Sequence, residues 1–162
     1  MTLQNLAAVA LVLSIAGCGG GGGDDDTSRY PLEVTVTKVD GAGNRVFAVG
    51  TYVVRSQDAW QSTWSSGQNW LLTDSPAPAL DFTRLMVVGV SAGLGPGCDG
   101  RWAAIDKVFE TSSAIEVEYR LQDVAQPPVP GISCHGTLTF PLNHFVALPL
   151  SSKPVTFVRK LA

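Results

Sequence analysis

Residues 84–100, RLMVVGVSAGLGPGCDG, constrain the fold more than any other stretch. They open with the apolar run Leu85-Met86-Val87-Val88-Gly89-Val90 and break into a Gly- and Pro-rich loop that carries Cys98. A short β-branched run bounded by turn residues reads as a strand buried on both faces, so the rest of the chain has to cover it from two sides.

From Tyr30 onward the sequence offers such cover. Leu32, Val34 and Val36 alternate with Glu33, Thr35 and Thr37, the period of a strand with one buried face. Asp40-Gly41-Ala42-Gly43-Asn44 is turn chemistry, and it predicts that residues 46–54 return as the second arm of a hairpin. The period then changes. Ser56 is an N-cap with Asp58 in the first turn, and Trp60 and Trp64 share one face of a short helix ending near Gly67. Two indoles on one stripe can line a ligand groove, but they read here as the anchors that fix a helix to a sheet. Further strands are predicted at 102–108, 114–121, 132–140, 144–150 and 154–158, with a Pro-rich break at 126–131. The expected fold is mainly β: a compact antiparallel β-sandwich or rolled sheet of seven to eight strands, with one short helix packed on it. A chain of 162 residues has room for this one domain, residues 29–162, and a short appendage.

The appendage reads as an address. Residues 6–16 (LAAVALVLSIA) match a signal h-region and fall short of a membrane span of about 20 residues. They run into Ile15-Ala16-Gly17-Cys18, which resembles the bacterial lipobox, although residues 1–5 lack the usual Lys or Arg. The resemblance implies removal of residues 1–17, lipidation of Cys18 and anchoring in the cell envelope, stably so with several acyl chains. Gly19 follows the cysteine, which by analogy with the enterobacterial sorting rule favours the outer membrane. Residues 18–28, with Gly19 to Gly23 and Asp24-Asp25-Asp26, form a flexible, solvated tether. Those three aspartates account for the whole net charge of −3, since 14 acidic residues less 3 leave 11 against 11 basic ones. The folded part has no basic stripe, which excludes nucleic-acid binding as its function class.

With Cys18 lipidated, Cys98 and Cys134 leave a single intramolecular pairing, and export favours a disulfide. It would tie the loop after the central strand to the Pro-rich connection, worth about 3–4 kcal/mol in the chain-entropy picture. Two sharper readings compete. Cys134 could be a nucleophile, with His144 rather than the adjacent His135 as its base, because strand neighbours point to opposite faces. Cys98, Asp99, Cys134, His135 and His144 could hold a metal, but no tight CxxC or HxxxH pair is present. No G-x-S-x-G, no phosphate cradle and no spaced carboxylate pair appears. The expectation is a protein without catalytic residues, metal or cofactor.

Residues from about 55 to 159 resemble the C-terminal domain family of the protease complex subunit PrcB. The resemblance is carried by Asp58-Ala-Trp60-Gln-Ser-Thr-Trp64, Pro78-Ala-Leu-Asp81-Phe82, Met86-Val-Val-Gly-Val90, Gly95-Pro96-Gly97, the strand from Arg101, His144-Phe-Val-Ala-Leu-Pro149 and Pro154-Val-Thr-Phe157, in that order. It implies a non-enzymatic, lipid-anchored accessory module that binds an envelope or surface protein, a protease complex among the candidates. The chain departs from the family in the loop, where Cys98 and Asp99 replace a P-T-G-G-Y type sequence. The expected contact surface is that loop end: Gly95, Pro96, Gly97, Asp99 and Arg101 with Pro128 and Pro130 of the Pro-rich segment, pre-ordered by the disulfide. Two alternatives are a chagasin-like protease inhibitor, whose binding loop is similar in kind, and a Cys/His enzyme.

Overall fold

The structure is a computed structural model, and it describes residues 30–70, 75–96, 102–122 and 139–161. The apolar run begins a long strand whose two faces are both buried: Met86, Val88 and Val90 on one side, Val87 and Gly89 on the other. In chain order the strands are β1 (Leu32–Glu33), β2 (Thr37–Lys38), β3 (Arg45–Val46), β4 (Gly50–Val54), β5 (Gln68–Asn69), β6 (Leu85–Pro96), β7 (Trp102–Glu110), β8 (Ile115–Gln122), β9 (Thr139–Pro149) and β10 (Val155–Arg159). Helix α1 (Gln57–Ser66) lies between β4 and β5. The strands form two four-stranded sheets, β1-β7-β8-β10 and β2-β9-β6-β4, and the ribbon β3-β5.

Three layers follow from the two faces of β6 and β9. Between the sheets, Met86, Val88, Val90, Val146 and Leu148 pack against Ile105, Val108, Ile115 and Val117. On the opposite face Val87, Phe145 and Ala147 meet Trp60, Trp64, Phe47 and Val54 beneath α1. The mainly β sandwich with one helix is thus the observed architecture. The helix begins as its sequence requires, with Ser56 Oγ accepting from the Ala59 amide at 3.3 Å. Trp60 and Trp64 anchor it, and their indole N–H groups donate to the carbonyls of Pro78 and Ser75.

The local pairings differ from the alternation read in the sequence. Residues 32–38 and 46–54 do not form a hairpin. Instead β1 pairs with β7 in one sheet and β2 with β9 in the other. Val34 and Val36, between them, pack into the inter-sheet cluster and close a corner of the sandwich. The expected hairpin turn is a 3-10 turn over Ala42–Asn44 that buries Ala42, after a left-handed Gly41 at φ 76°. Phe47 is thereby delivered to the helix-side core, so β4 pairs with β6. The two strands expected around Pro141 are one strand within the described residues. Pro141 pairs with Leu94 where β9 has a neighbour on one side, a position that tolerates a missing donor. The count reaches ten because β1, β2, β3 and β5 have two residues each, too few to show a period. One pair is not antiparallel: β10 runs parallel to β8. The chain reaches β10 by crossing from β9 in the other sheet, so no hairpin dictates its direction.

Candidate functional site

The end of the sandwich where β6 finishes and β9 starts contains Gly95, paired with Phe140, and Pro96, paired with Thr139. These two residues of the expected contact surface therefore lie side by side with β9. Gly97, Asp99, Arg101, Pro128, Pro130, Cys98, Cys134, His135 and Cys18, the expected lipidation site, lie outside the described residues.

A β-bulge between Ser91 and Gly93 re-aims this strand end. Gly93 takes φ 78°, which a side chain would strain, and its amide donates to Ser91 Oγ at 3.1 Å. Ser91 is itself fully buried, and its hydroxyl donates to the Phe47 carbonyl. Beneath the strand end, Arg45 is 5% exposed, lies with its guanidinium 4.9 Å from the Trp64 ring, and donates to the Gly67 carbonyl at 2.6 Å. Asn143 donates to the Arg45 carbonyl at 2.7 Å, tying β9 to β3. The platform is therefore fixed by side-chain bonds to backbone from four separate segments.

Three large apolar side chains at this end face solvent, Val49 at 74%, Leu94 at 46% and Phe140 at 44% exposure; Leu94 pairs with Pro141 and Phe140 with Gly95, so these two point to opposite faces of the sheet. Val49 lies against Gly93, where an added methyl would stand 3.3 Å from its Cγ2. The Trp70 ring is 6.3 Å from Phe140. Exposed apolar groups at one end of a domain mark a contact surface when one partner can cover them together. Sequence reading missed Val49, Phe140 and Trp70, and held Leu94 only as part of the loop from Gly93 to Arg101, because a strand's period gives the face of a residue but not how far that face is covered.

His144 stands on the inter-sheet side of β9. Its Nδ1 accepts the Ile105 amide N–H at 2.9 Å, across the gap to β7 and next to the bulge between Ile105 and Lys107. Burial, reinforced by the Lys38 charge and partly opposed by Asp106, pushes its pKa below the ordinary histidine value. The neutral ring accepts across the sheets at Nδ1, so its proton sits on Nε2 and neither nitrogen is left free to act as a base. Among the described residues no group of three or more His, Cys, Asp or Glu side chains is placed to hold a metal ion, and no helix is long and apolar enough to cross a membrane.

Two open grooves lie elsewhere. One, of about 530 Å³, is bounded by Tyr30, Pro31, Phe109, Glu116 and Glu118 on the outer face of the first sheet. Lys153, paired with Glu110 at 2.8 Å, already places its ammonium 4.9 Å from the Tyr30 ring there. The other, of about 440 Å³, runs between β2, the end of β9 and residues 78–80. No protein-family model, curated protein or solved structure matches the chain.

Proposed function

We propose that this protein is a lipid-anchored, non-catalytic envelope module that works by protein–protein contact through the loop end of its sandwich, as an accessory subunit in the manner of the PrcB C-terminal family. The observation that carries the reading is the exposure of Val49, Leu94 and Phe140 at the end where the two longest strands meet the Gly- and Pro-rich connections. Burying such side chains against a partner contributes roughly 25 cal/mol per Å². A fixed platform lowers the ordering cost of that contact. The lipobox-like Cys18 and the Gly/Asp tether supply the anchor and the reach.

The test compares the full-length protein with its Leu94→Asp/Phe140→Asp variant, both purified from native membranes in mild detergent at matched thermal stability. The reading expects one envelope or surface protein to accompany the parent in stoichiometric amount and to be missing from the variant. Identical companions in both preparations would remove the loop end as the contact surface.

A further inference from the structure

Among the described residues the two sheets end in four edge strands, β1 and β10 in one and β2 and β4 in the other. An edge presents unpaired N–H and C=O groups, and natural sheets guard edges with shortness, charge or proline. Three edges here are guarded. β1 has two residues behind Pro31, and β2 has two residues ending in Lys38. β10 starts after Pro154 and ends in Arg159, followed by Lys160.

The fourth is not. β4 is Gly50-Thr51-Tyr52-Val53-Val54: five residues with no charge, no proline, and β-branched or aromatic side chains at four positions. It pairs with β6 alone, and its backbone bonds to no other segment among the described residues. Val53 is 38% exposed, and Val49 just before the strand is 74% exposed.

We propose that β4 is a self-association edge, on which β4 of a second copy of this chain adds antiparallel about a two-fold axis at Tyr52. The two second sheets would then join as one continuous eight-stranded sheet. The charge pattern favours a second copy. About that axis Thr51 faces the partner's Val53, Gly50 faces the partner's Val54, and Arg55 faces the partner's Val49, so no like charges meet. Thr51 and Val53 pair with Val90 and Val88 and so share the inter-sheet side. Two-fold pairing brings four of these side chains together where the opposing sheet leaves them exposed. An isologous contact of this kind closes on itself and gives a dimer rather than a fibre. The inference rests on the β4 edge and shares only Val49 with the loop-end reading.

Sedimentation equilibrium of the full-length chain, in density-matched detergent with micelles in large excess, tests it with three forms. The parent is expected to show a concentration-dependent monomer–dimer equilibrium. Thr51→Lys/Val53→Lys places lysine opposite lysine twice and should weaken association roughly tenfold or more. Thr51→Lys/Val53→Glu places lysine opposite glutamate in the same register and should restore the dimer. A parent that stays monomeric throughout, a double-lysine form that dimerises like the parent, or a Lys/Glu form that stays monomeric would each overturn the proposal. Circular dichroism of all three forms separates lost association from lost fold.

Discussion

The same two strands, β6 and β9, build two cores of different character. Toward the other sheet they present Met86, Val88, Val90, Val146 and Leu148 to an aliphatic, largely β-branched layer. Toward the helix they face rings: Phe47 and Phe145 have centroids 4.6 Å apart, Tyr52 and Phe145 5.2 Å, Trp60 and Trp64 5.4 Å. The aliphatic layer needs side chains of the right kind on the right face. The aromatic layer also needs holes of the right shape. A Cβ at Gly89, the cross-strand partner of Phe145, would lie 2.4 Å from that ring, and a Cβ at Gly67 would lie 2.8 Å from Phe47. Each glycine is a space cut for one ring.

If the aromatic layer is the less forgiving of the two, its largest anchor should cost most. Trp60 is fully buried, and its indole N–H also holds the Pro78 carbonyl at 3.0 Å. Trp60→Ala is expected to lose about 3–5 kcal/mol, read from urea midpoints, from the cavity and the freed loop together. A loss under about 1 kcal/mol would mean that the helix merely rests on the sheet.

Gly89→Ala probes the hole rather than the ring. One methyl forced against Phe145 should cost about 2–3 kcal/mol, the upper part of the overpacking range, although alanine favours strand backbone. Adding Phe145→Leu should recover part of that loss, so that the double variant is more stable than the two single effects predict. Strict additivity would show that the glycine is not there for the ring. In the aliphatic layer between the sheets, Ile115→Leu on β8 should cost less than about 1.5 kcal/mol, because that layer absorbs a volume-conserving swap.

This difference also explains what could be read from the sequence. The aliphatic layer was legible because its residues sit on strands with a period or in one dense apolar run, as Ile115, Val117 and residues 85–90 do. The helix was legible from Ser56 and the spacing of its two tryptophans. The glycines were not. Gly67 reads as a helix terminator, yet its φ of −76° is open to any residue, and its reason is the Phe47 ring packed against it, which spacing along the chain cannot reveal. The hairpin expectation failed for a related reason. Alternation at 32–36 says that one face is buried, and the chain buries Val34 and Val36 by bridging two sheets instead of folding back locally. At the loop end, Gly95 and Pro96 read as turn chemistry but continue β6 in register with β9, and the exposure of Leu94 and Phe140 depends on how far the neighbouring layers reach.

The smallest effect tests the one place where a titratable group crosses the aliphatic layer. His144 Nδ1 accepts from the Ile105 amide across the sheets, and it can do so only while that nitrogen is unprotonated. Its pKa lies below the ordinary value of 6.5, so the unfolded chain takes up more protons than the folded one between the lowered value and 6.5. Stability from this group is therefore complete above pH 6.5 and declines as the pH falls through the window below it. The facing charges work in opposite senses, Lys38 on β2 deepening the shift and Asp106 on β7 reducing it. Losing one such hydrogen bond is worth about 1 kcal/mol. Unfolding midpoints at pH 7.5 and 5.5 should separate the parent from His144→Asn, whose amide oxygen accepts at both. If the two lose stability in parallel, the acid sensitivity belongs to other groups, and the sheets are held at this point by their aliphatic side chains alone.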